Sequence, residues 1–212
     1  MEKLIKGRRS IRTWQDKQVP EELLIKAVEL ATWAPNAGNQ QSWRFYIMVN
    51  RVTINAIADA LQASVNEMAS WPESDAFKSE LTGWQKRACF FRSAPAAIAV
   101  AAGQYQSLVD KVLSPREKFD NHAMVIRQWR NTASSRLQTA ASASAYLLLI
   151  LHQMGLGAVW MTGPMQIKGD IEKILRVSPG WDIVAFIPVG YPADKPRPGE
   201  RKPVASVCEI IR

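Results

Sequence analysis

Three arginines and a serine lie within five residues near the start of the chain. Arg8, Arg9 and Arg12 carry guanidinium groups that stay charged at any physiological pH, and Ser10 adds a hydroxyl group between them. A guanidinium group pairs with phosphate or carboxylate through two parallel hydrogen bonds. The cluster therefore indicates an anion-binding site, and a solvated surface turn of the same composition is the alternative.

A second polar group lies in the stretch WAPNAGNQQSW, from Trp33 to Trp43. Pro35 restricts the backbone of the residue before it and should end a preceding helix. Asn36, Gly38 and Asn39 tolerate unusual backbone angles, and the amide side chains that follow both donate and accept hydrogen bonds. These properties predict contact with a flat ligand rich in heteroatoms. An amide-rich turn at the end of a helix is the alternative.

Several classes of enzyme are excluded by the motifs that the sequence lacks. It contains no GxSxG, HExxH, Walker or CxxC motif. His122 and His152 are far apart, and His152 on an apolar helix is more typical of a core histidine than of a base. Cys89 and Cys208 have no metal-ligand spacing and are expected to be reduced core thiols, with a disulfide as the alternative. A redox cofactor that carries the chemistry itself would explain why the sequence offers so few candidate acids and bases. We expect no metal site.

The composition predicts one globular domain. The chain has 212 residues, of which 47% are hydrophobic and 22% charged. A total of 27 basic and 19 acidic residues gives a net charge of +8, which suits an anionic ligand, a nucleic acid or an anionic surface. Because the basic residues are scattered, with no run of five like charges, we do not expect a nucleic-acid partner.

The N-terminal residues contain no apolar signal segment. The longest apolar tract, from Ala143 to Leu151, is much shorter than the roughly 20 residues that span a bilayer. We therefore expect a cytoplasmic protein that makes no membrane contact.

Hydrophobic periodicity predicts the elements that position these groups. The predicted helices are Met1 to Gly7, Pro20 to Trp33, Ile54 to Leu61, Arg136 to Met154 and Ile171 to Leu175. The predicted strands are Phe45 to Val49, Ala96 to Ala102, Ala158 to Met161 and Ile183 to Val189. The strand beginning at Phe45 is wholly apolar and is expected to be covered on both faces. The helix beginning at Arg136 is small and apolar almost all round, so it should be central and buried.

Three segments show no clear hydrophobic periodicity. Residues 64–84 are predicted to form a loop and a helix. Residues 105–136 are charged and aromatic, which is typical of a segment that covers a site and equally of a solvated excursion. From residue 191 onward, four prolines among basic residues predict an extended arm that contacts a partner subunit or a phosphate.

Separated stretches of the chain resemble, in the right order, the nitroreductase family of flavin-dependent oxidoreductases. RRSIR, at Arg8 to Arg12, resembles the N-terminal R-R-S-x-R/K signature of that family. APNAGNQQSW, at Ala34 to Trp43, resembles its A-P-S-x-x-N-x-Q-P-W loop. Two positions depart from the loop pattern, because Asn36 replaces serine and Ser42 replaces proline. Both departures are expected to alter the shape of a pocket without preventing flavin binding.

Two further stretches extend the resemblance to the second half of the chain. GLGAVWMTGP, at Gly155 to Pro164, resembles the glycine region of the family, and Gly190 to Val204 resembles its basic ending. The glycines at 155 and 157 follow a predicted helix and precede a predicted strand. That order is the reverse of the dinucleotide-binding turn, so a Rossmann site is excluded.

The resemblance implies an α+β fold with a central, mostly antiparallel sheet flanked by helices, in one domain over residues 1–212. It implies an intertwined homodimer with FMN at the subunit interface. The implied reaction is hydride transfer from NADPH or NADH, through flavin N5, to a nitroaromatic, a quinone or a related small-molecule acceptor. The flavin carries the chemistry, with no catalytic side chain. A related flavin-dependent dehydrogenase or dehalogenase, or a non-catalytic module that binds flavin or anions, is the alternative.

The resemblance also assigns residues to the cofactor. Arg8 and Ser10 would hold the phosphate and ribityl chain, Arg201 would complete the phosphate site, and Arg12 would lie near the pyrimidine edge of the ring. The expected cofactor-binding residues are Arg8, Arg9, Ser10, Arg12, Pro35, Asn36, Ala37, Asn39, Gln41, Met161, Thr162, Gly163, Arg201 and Lys202.

Two parts of the site would come from other regions of the dimer. Asn36, Ala37 and Asn39 would reach the flavin from the neighbouring subunit, and the segment at 162–163 would offer backbone N–H groups near flavin N5. Residues 105–136 occupy the place of a variable lid in the family, so Phe119 and Trp129 are expected to contact the substrate.

Overall fold

The structure is a computed structural model that describes residues 1–196 and 199–212. Its four strands form one sheet in the order β1-β2-β4-β3, and each pair of neighbouring strands is antiparallel. The strands are β1 (Trp43–Met48), β2 (Ala96–Gly103), β3 (Gly157–Ala158) and β4 (Trp181–Gly190). The expected α+β fold with an antiparallel central sheet is confirmed.

Eight α-helices accompany this sheet in the described part of the chain. They are α1 (Glu2–Gly7), α2 (Glu21–Ala31), α3 (Arg51–Ala69), α4 (Lys78–Arg87), α5 (Leu108–Arg116), α6 (Asn121–Ala133), α7 (Ser135–Gln153) and α8 (Lys168–Ile174). Helix α2 begins directly after Pro20 and has two glutamates in its first turn, where negative charge favours the helix dipole. No helix within residues 1–196 and 199–212 is long and apolar enough to cross a membrane.

The sheet lies between two layers of helices because β2 is apolar on both faces. All eight residues of β2 are buried, as the sequence predicts. Ile98 and Val100 pack with residues of α2 and α7 on one side, whereas Ala97 and Ala99 pack with α3 and α8 on the other. Successive side chains of a strand point to opposite faces, so a continuous apolar run supplies both cores.

Helix α7 is central, but one of its faces is bare. Leu147 and Leu151 are fully buried against the sheet. Ala145 is exposed, and Leu137 and Tyr146 are 47% and 42% exposed. The prediction of a buried helix is therefore confirmed for one side and wrong for the other, since the chain has too few helices to enclose an apolar surface all round.

Two further predictions about burial are wrong. Phe45 and Ile47 of β1 are only half-buried, because β1 lies at the sheet edge and pairs with β2 alone. Cys208 is exposed in the C-terminal segment and does not belong to the core. Cys89 is half-buried, and its thiol donates to the carbonyl oxygen of Ala58 at 3.1 Å. Both thiols are free.

Residues 105–136 form a helical hairpin of α5 and α6 that is held together by charges. The carboxylate of Asp110 accepts hydrogen bonds from Arg130 at 2.9 Å and from Arg127 at 2.8 Å. The hydrogen bond from Arg130 is the main reason that the pKa of Asp110 lies well below its usual range; burial opposes this shift. The sequence shows little apolar periodicity here because ion pairs, and not a broad apolar stripe, join the two helices.

The C-terminal segment is exposed wherever it is described after residue 198. Its regular structure there is one short 3-10 turn, at Val204–Ser206. Arg197 and Pro198, which belong to the predicted arm, lie outside the described residues.

Candidate functional site

Four basic residues line a cavity of about 670 Å³ at the C-terminal end of α1. Arg8 and Arg9 come from the segment after the helix, and Arg201 comes from the opposite end of the chain. Lys6 is the fourth basic residue, and the described lining includes no acidic side chain. Leu148 and Leu149 of α7 are among the apolar residues of the wall. This volume and mixed lining suit a ligand with an anionic end and an apolar body.

The N-terminal arginines are positioned by a short extended segment beside β3. The N–H of Ile11 donates to the carbonyl oxygen of Ala158 at 3.1 Å, and Ser10 pairs with Ala158 as a parallel bridge. Ile11 is buried. Arg9 donates to the carbonyl oxygens of Lys6 at 2.6 Å and Arg8 at 2.8 Å. The guanidinium group of Arg9 therefore braces the backbone that carries Arg8.

A tryptophan in the wall of the same cavity has a buried donor without a partner. Trp160 lines the wall, and its indole N–H is buried without a hydrogen-bond partner among the described residues. A buried donor without a partner costs about 1–3 kcal/mol. Trp160 lies inside the GLGAVWMTGP stretch, but sequence analysis did not identify it as a site residue.

A second cavity of about 550 Å³ shares Arg8, Arg9 and Leu148 with the first. His152 lines it and is half-buried, so the prediction of a core histidine is wrong. Burial lowers the pKa of His152, and the positive charges of Arg8 and Arg9 lower it further. The imidazole therefore favours its neutral form next to the arginines. Lys195 of the C-terminal segment also lines this cavity.

The amide-rich loop lies elsewhere along α7. Gly38 adopts a φ of 58°, Asn39 of 51° and Gln41 of 50°, all in the left-handed region that glycine and asparagine tolerate best. The side-chain oxygen of Asn36 accepts the N–H of Gln41 at 2.9 Å and so stabilises the turn. The N–H of Ala37 donates to the hydroxyl group of Thr139 in α7 at 3.3 Å.

A cavity of about 340 Å³ lies between this loop and the N-terminal half of α7. Pro35, Asn36 and Ala37 line it, together with Thr139 and Ser142. It is separate from the arginine cavity, which meets α7 near Leu148 and Leu149. Within one protomer, the two groups of expected ligand contacts therefore lie at different places along one helix.

The segment after Trp160 lines a fourth, smaller cavity. Met161 forms an isolated bridge with Phe186, with N–O distances of 2.9 and 3.0 Å. Met161 and Gly163 both line a cavity of about 210 Å³, and Trp84 and Arg87 are among the other residues of its wall. Thr162 is exposed.

The structure thus groups the expected site residues into clusters that do not meet in one protomer. Arg8, Arg9 and Arg201 share a cavity. Pro35, Asn36 and Ala37 share a second cavity, and Met161 and Gly163 share a third. The expected residues that line none of these four cavities are exposed or half-buried; they are Ser10, Arg12, Asn39, Gln41, Phe119, Trp129, Thr162 and Lys202. Among the described residues, no three His, Cys, Asp or Glu side chains are grouped as a metal ion would require.

Comparison with known proteins gives one consistent result. A sequence model described as the nitroreductase family matches residues 5–191. A protein of Methanothermobacter thermautotrophicus, whose name proposes NADH dehydrogenase or NAD(P)H nitroreductase activity, is 31% identical over 195 residues, covering 91% of this chain and 77% of the relative.

Two solved structures share the fold. A BluB-like flavoprotein from Clostridium difficile 630 superposes with a TM-score of 0.84 at 23% identity, covering all of this chain and 98% of the other. An iodotyrosine deiodinase bound to FMN and 3-iodo-L-tyrosine superposes with a TM-score of 0.70 at 22% identity, covering 100% and 97% of the two chains. At these identities the similarity establishes the fold alone.

Proposed function

Because the chain belongs to the nitroreductase family, we propose that it is an FMN-dependent oxidoreductase. The reaction is hydride transfer from NADPH or NADH to a small acceptor such as a nitroaromatic compound or a quinone. The observation that carries this proposal is the cavity that Arg8 and Arg201 line together with the apolar side chains of Leu148 and Leu149.

The residues of this cavity fit the cofactor chemically. FMN has a dianionic phosphate at one end, a polar ribityl chain and a flat apolar ring, and the lining provides cations and apolar side chains. Arg8 and Arg201 would pair with the phosphate, Arg9 would hold the backbone of Arg8 in place, and Lys202 would add to the positive potential. Ser10 would contact the ribityl chain.

When bound, FMN supplies the redox chemistry, accepting a hydride from the reduced nicotinamide and passing it to the acceptor. The chain itself orients the ring and stabilises charge. The backbone of Thr162 and Gly163 would donate to the ring near N5. Arg12, permanently charged, would stabilise negative charge on the pyrimidine edge. With the redox chemistry supplied by FMN, the reaction requires no histidine or cysteine as an acid or base.

A homodimer would complete the site. Support comes from the separation of the loop cavity from the arginine cavity along α7, and from the bare apolar face of that helix. Trp33, next to the loop, is 80% exposed, and Tyr146 is 42% exposed. In the proposed dimer these side chains become buried, and Asn36, Ala37 and Asn39 of each protomer reach the flavin of the other.

The acceptor would lie under the α5–α6 hairpin of the dimer. Phe119 and Trp129 are 73% and 65% exposed on this hairpin, so both are free to contact a substrate. A dehalogenase is the second candidate, because one structure with this fold binds 3-iodo-L-tyrosine together with FMN.

An anaerobic titration tests the proposal directly. The purified protein is saturated with FMN, reduced with NADPH or NADH while the flavin absorbance is followed, and then mixed with a nitroaromatic, a quinone or an iodotyrosine. Bleaching followed by reoxidation with the nitroaromatic or the quinone supports the proposal, whereas turnover with iodotyrosine alone supports the dehalogenase. Flavin binding without reduction indicates a binding module. A protein that takes up no FMN contradicts the proposal.

A further inference from the structure

His152 lies next to the wall that the arginine cavity shares with the second cavity. It belongs to the last turn of α7, four residues after Leu148, which lines both cavities. Residues four apart in a helix lie on the same face, so the imidazole group adjoins the shared wall. Arg8 and Arg9 also line both cavities. An anion held by these arginines would therefore interact electrostatically with His152.

The imidazole ring packs on the backbone that carries Arg8. A Cβ atom built on Gly7 would lie 3.2 Å from Nε2 of His152, so the ring lies over the bare backbone of this glycine. Gly7 is the last residue of α1 and directly precedes Arg8. A larger residue at position 7 would crowd the ring. The imidazole is therefore part of the contact between α7 and the end of α1, one residue from the proposed phosphate ligand.

Neither His152 nor Arg8 is neutralised by the rest of the protein. No side-chain hydrogen bond or ion pair found among residues 1–196 and 199–212 includes the imidazole ring or the guanidinium group of Arg8. A cluster of cationic groups without carboxylate partners is suited to an anionic ligand. Both groups can therefore respond to the phosphate that we assign to this site.

The charges around the ring disfavour its protonation while no anion is bound. Arg8 and Arg9 face it from the end of α1, and the second half of α7 contains no other charged side chain. Asp194 and Lys195 of the C-terminal segment line the same cavity with opposite charges. Burial lowers the pKa of His152, and the two arginines lower it further. The imidazole is therefore mostly neutral near neutral pH.

We propose that His152 is a further residue of the cofactor site and becomes protonated when the phosphate of FMN binds. The inference rests on the proposed function, because it assigns one more residue to the same phosphate. A phosphate dianion next to Arg8 replaces repulsion from the arginines by attraction and favours the imidazolium form. Binding then takes up one proton from solvent onto the imidazole. His152 adds a positive charge to those of Arg8 and Arg201 only while the phosphate is present.

Because the chain contains two histidines, NMR can observe this proton directly. The imidazole resonances are assigned with His122→Gln and followed from about pH 8 to about pH 5, with and without FMN. We expect the pKa of His152 to lie below that of His122 in the free protein and to rise by about 1 or more in the complex. His122, exposed on α6, is the internal control and should change little. An unchanged pKa of His152 in the complex would overturn the inference.

The pH dependence of FMN affinity provides a second test. Flavin fluorescence gives the dissociation constant for the natural sequence and for His152→Gln, which cannot take up the proton. Protonation of the phosphate itself affects both proteins equally, so the ratio of the two constants isolates the histidine. The contribution of His152 is complete below the pKa of the free protein and absent above that of the complex. A pKa that rises by about 1 corresponds to binding about tenfold tighter at the acid end.

Two controls belong to this measurement. Riboflavin, which has no phosphate, should show a ratio that does not change with pH. His122→Gln should bind FMN as the natural sequence does at every pH. A ratio for FMN that is independent of pH, or an equal pH dependence with riboflavin, would contradict the role of His152.

Inorganic pyrophosphate separates the inference from the proposed function. A protein that takes up no FMN contradicts the proposed function, but the NMR titration can then be repeated with pyrophosphate at constant ionic strength. A rise in the pKa of His152 without a change in His122 supports proton uptake linked to phosphate. No change, or equal changes in both histidines, overturns it. FMN binding with an unchanged His152 contradicts the inference alone and leaves the flavin activity to its own test.

Discussion

The indole N–H of Trp14 donates to the carbonyl oxygen of Gly157 at 2.8 Å, in a buried contact between residues 143 positions apart. This bond joins the N-terminal segment that carries Arg8 to β3. A Cβ atom on Gly157 would lie 2.5 Å from Cγ1 of Ile11, so the two segments approach each other as closely as glycine allows. The position of the proposed phosphate-binding group therefore depends on this contact.

Trp14→Phe should weaken the contact while keeping the ring that stacks on Phe90. The substitution leaves the buried carbonyl oxygen of Gly157 without this donor, so we expect a loss of about 1–3 kcal/mol in the free energy of unfolding. Chemical denaturation followed by circular dichroism measures it. Trp71→Phe, at an exposed position, is the matched control, and an equal effect of both substitutions would show that the hydrogen bond is unimportant.

Arg8→Ala should weaken the binding of FMN by about tenfold to a hundredfold, because it removes a charge-assisted hydrogen bond to the phosphate. Quenching of flavin fluorescence gives the dissociation constant. Lys3→Ala removes the same charge from α1 without touching the cavity and should have little effect. If riboflavin, which has no phosphate, lost affinity to the same extent, Arg8 would not be a phosphate ligand.

Arg12→Ala should lower the reduction potential of bound FMN by tens of millivolts. The positive charge would stabilise the reduced flavin, which carries negative charge near N1, and its removal disfavours reduction. Spectroelectrochemical titration measures the potential. Arg12 is exposed in the protomer, so its role depends on the proposed dimer. An unchanged potential would exclude this role.

The pKa of His152 should make the apoprotein less stable in mild acid. Burial and the neighbouring arginines lower the pKa in the folded state, so the unfolded chain, in which histidine titrates near ~6.5, binds the proton first. This part of the stability is complete above about pH 6.5 and is lost as the pH falls toward the lower folded-state value. Urea denaturation between about pH 7.5 and pH 5 should show a smaller decline for His152→Gln.

His122→Gln provides the control for that measurement, because His122 is exposed at the start of α6. It should decline as the natural sequence does. Equal slopes for all three proteins would contradict the assignment. Bound FMN should also flatten the decline, because its phosphate would add negative charge near His152 and raise the pKa again.

Local patterns in the sequence were sufficient for most of the fold. The unbroken apolar run of β2 and the capping signals of α2 act within a few residues, so both elements were predicted close to their observed bounds. The α5–α6 hairpin was not predicted, because it is stabilised by ion pairs between residues that are distant in the sequence, namely Asp110 with Arg127 and Arg130. The exposed face of α7 was not predicted for a similar reason, since the composition of a helix does not reveal how many other elements will pack against it.

The sequence by itself determined the family and the chemistry of the groups, because RRSIR and APNAGNQQSW are short motifs whose donors follow from residue type. Only the tertiary structure decided which groups meet. It brought Arg201 to Arg8 and left Asn36 at a separate cavity. These contacts depend on strand register, helix packing and the direction of the turns, which are properties of the whole chain and not of any motif.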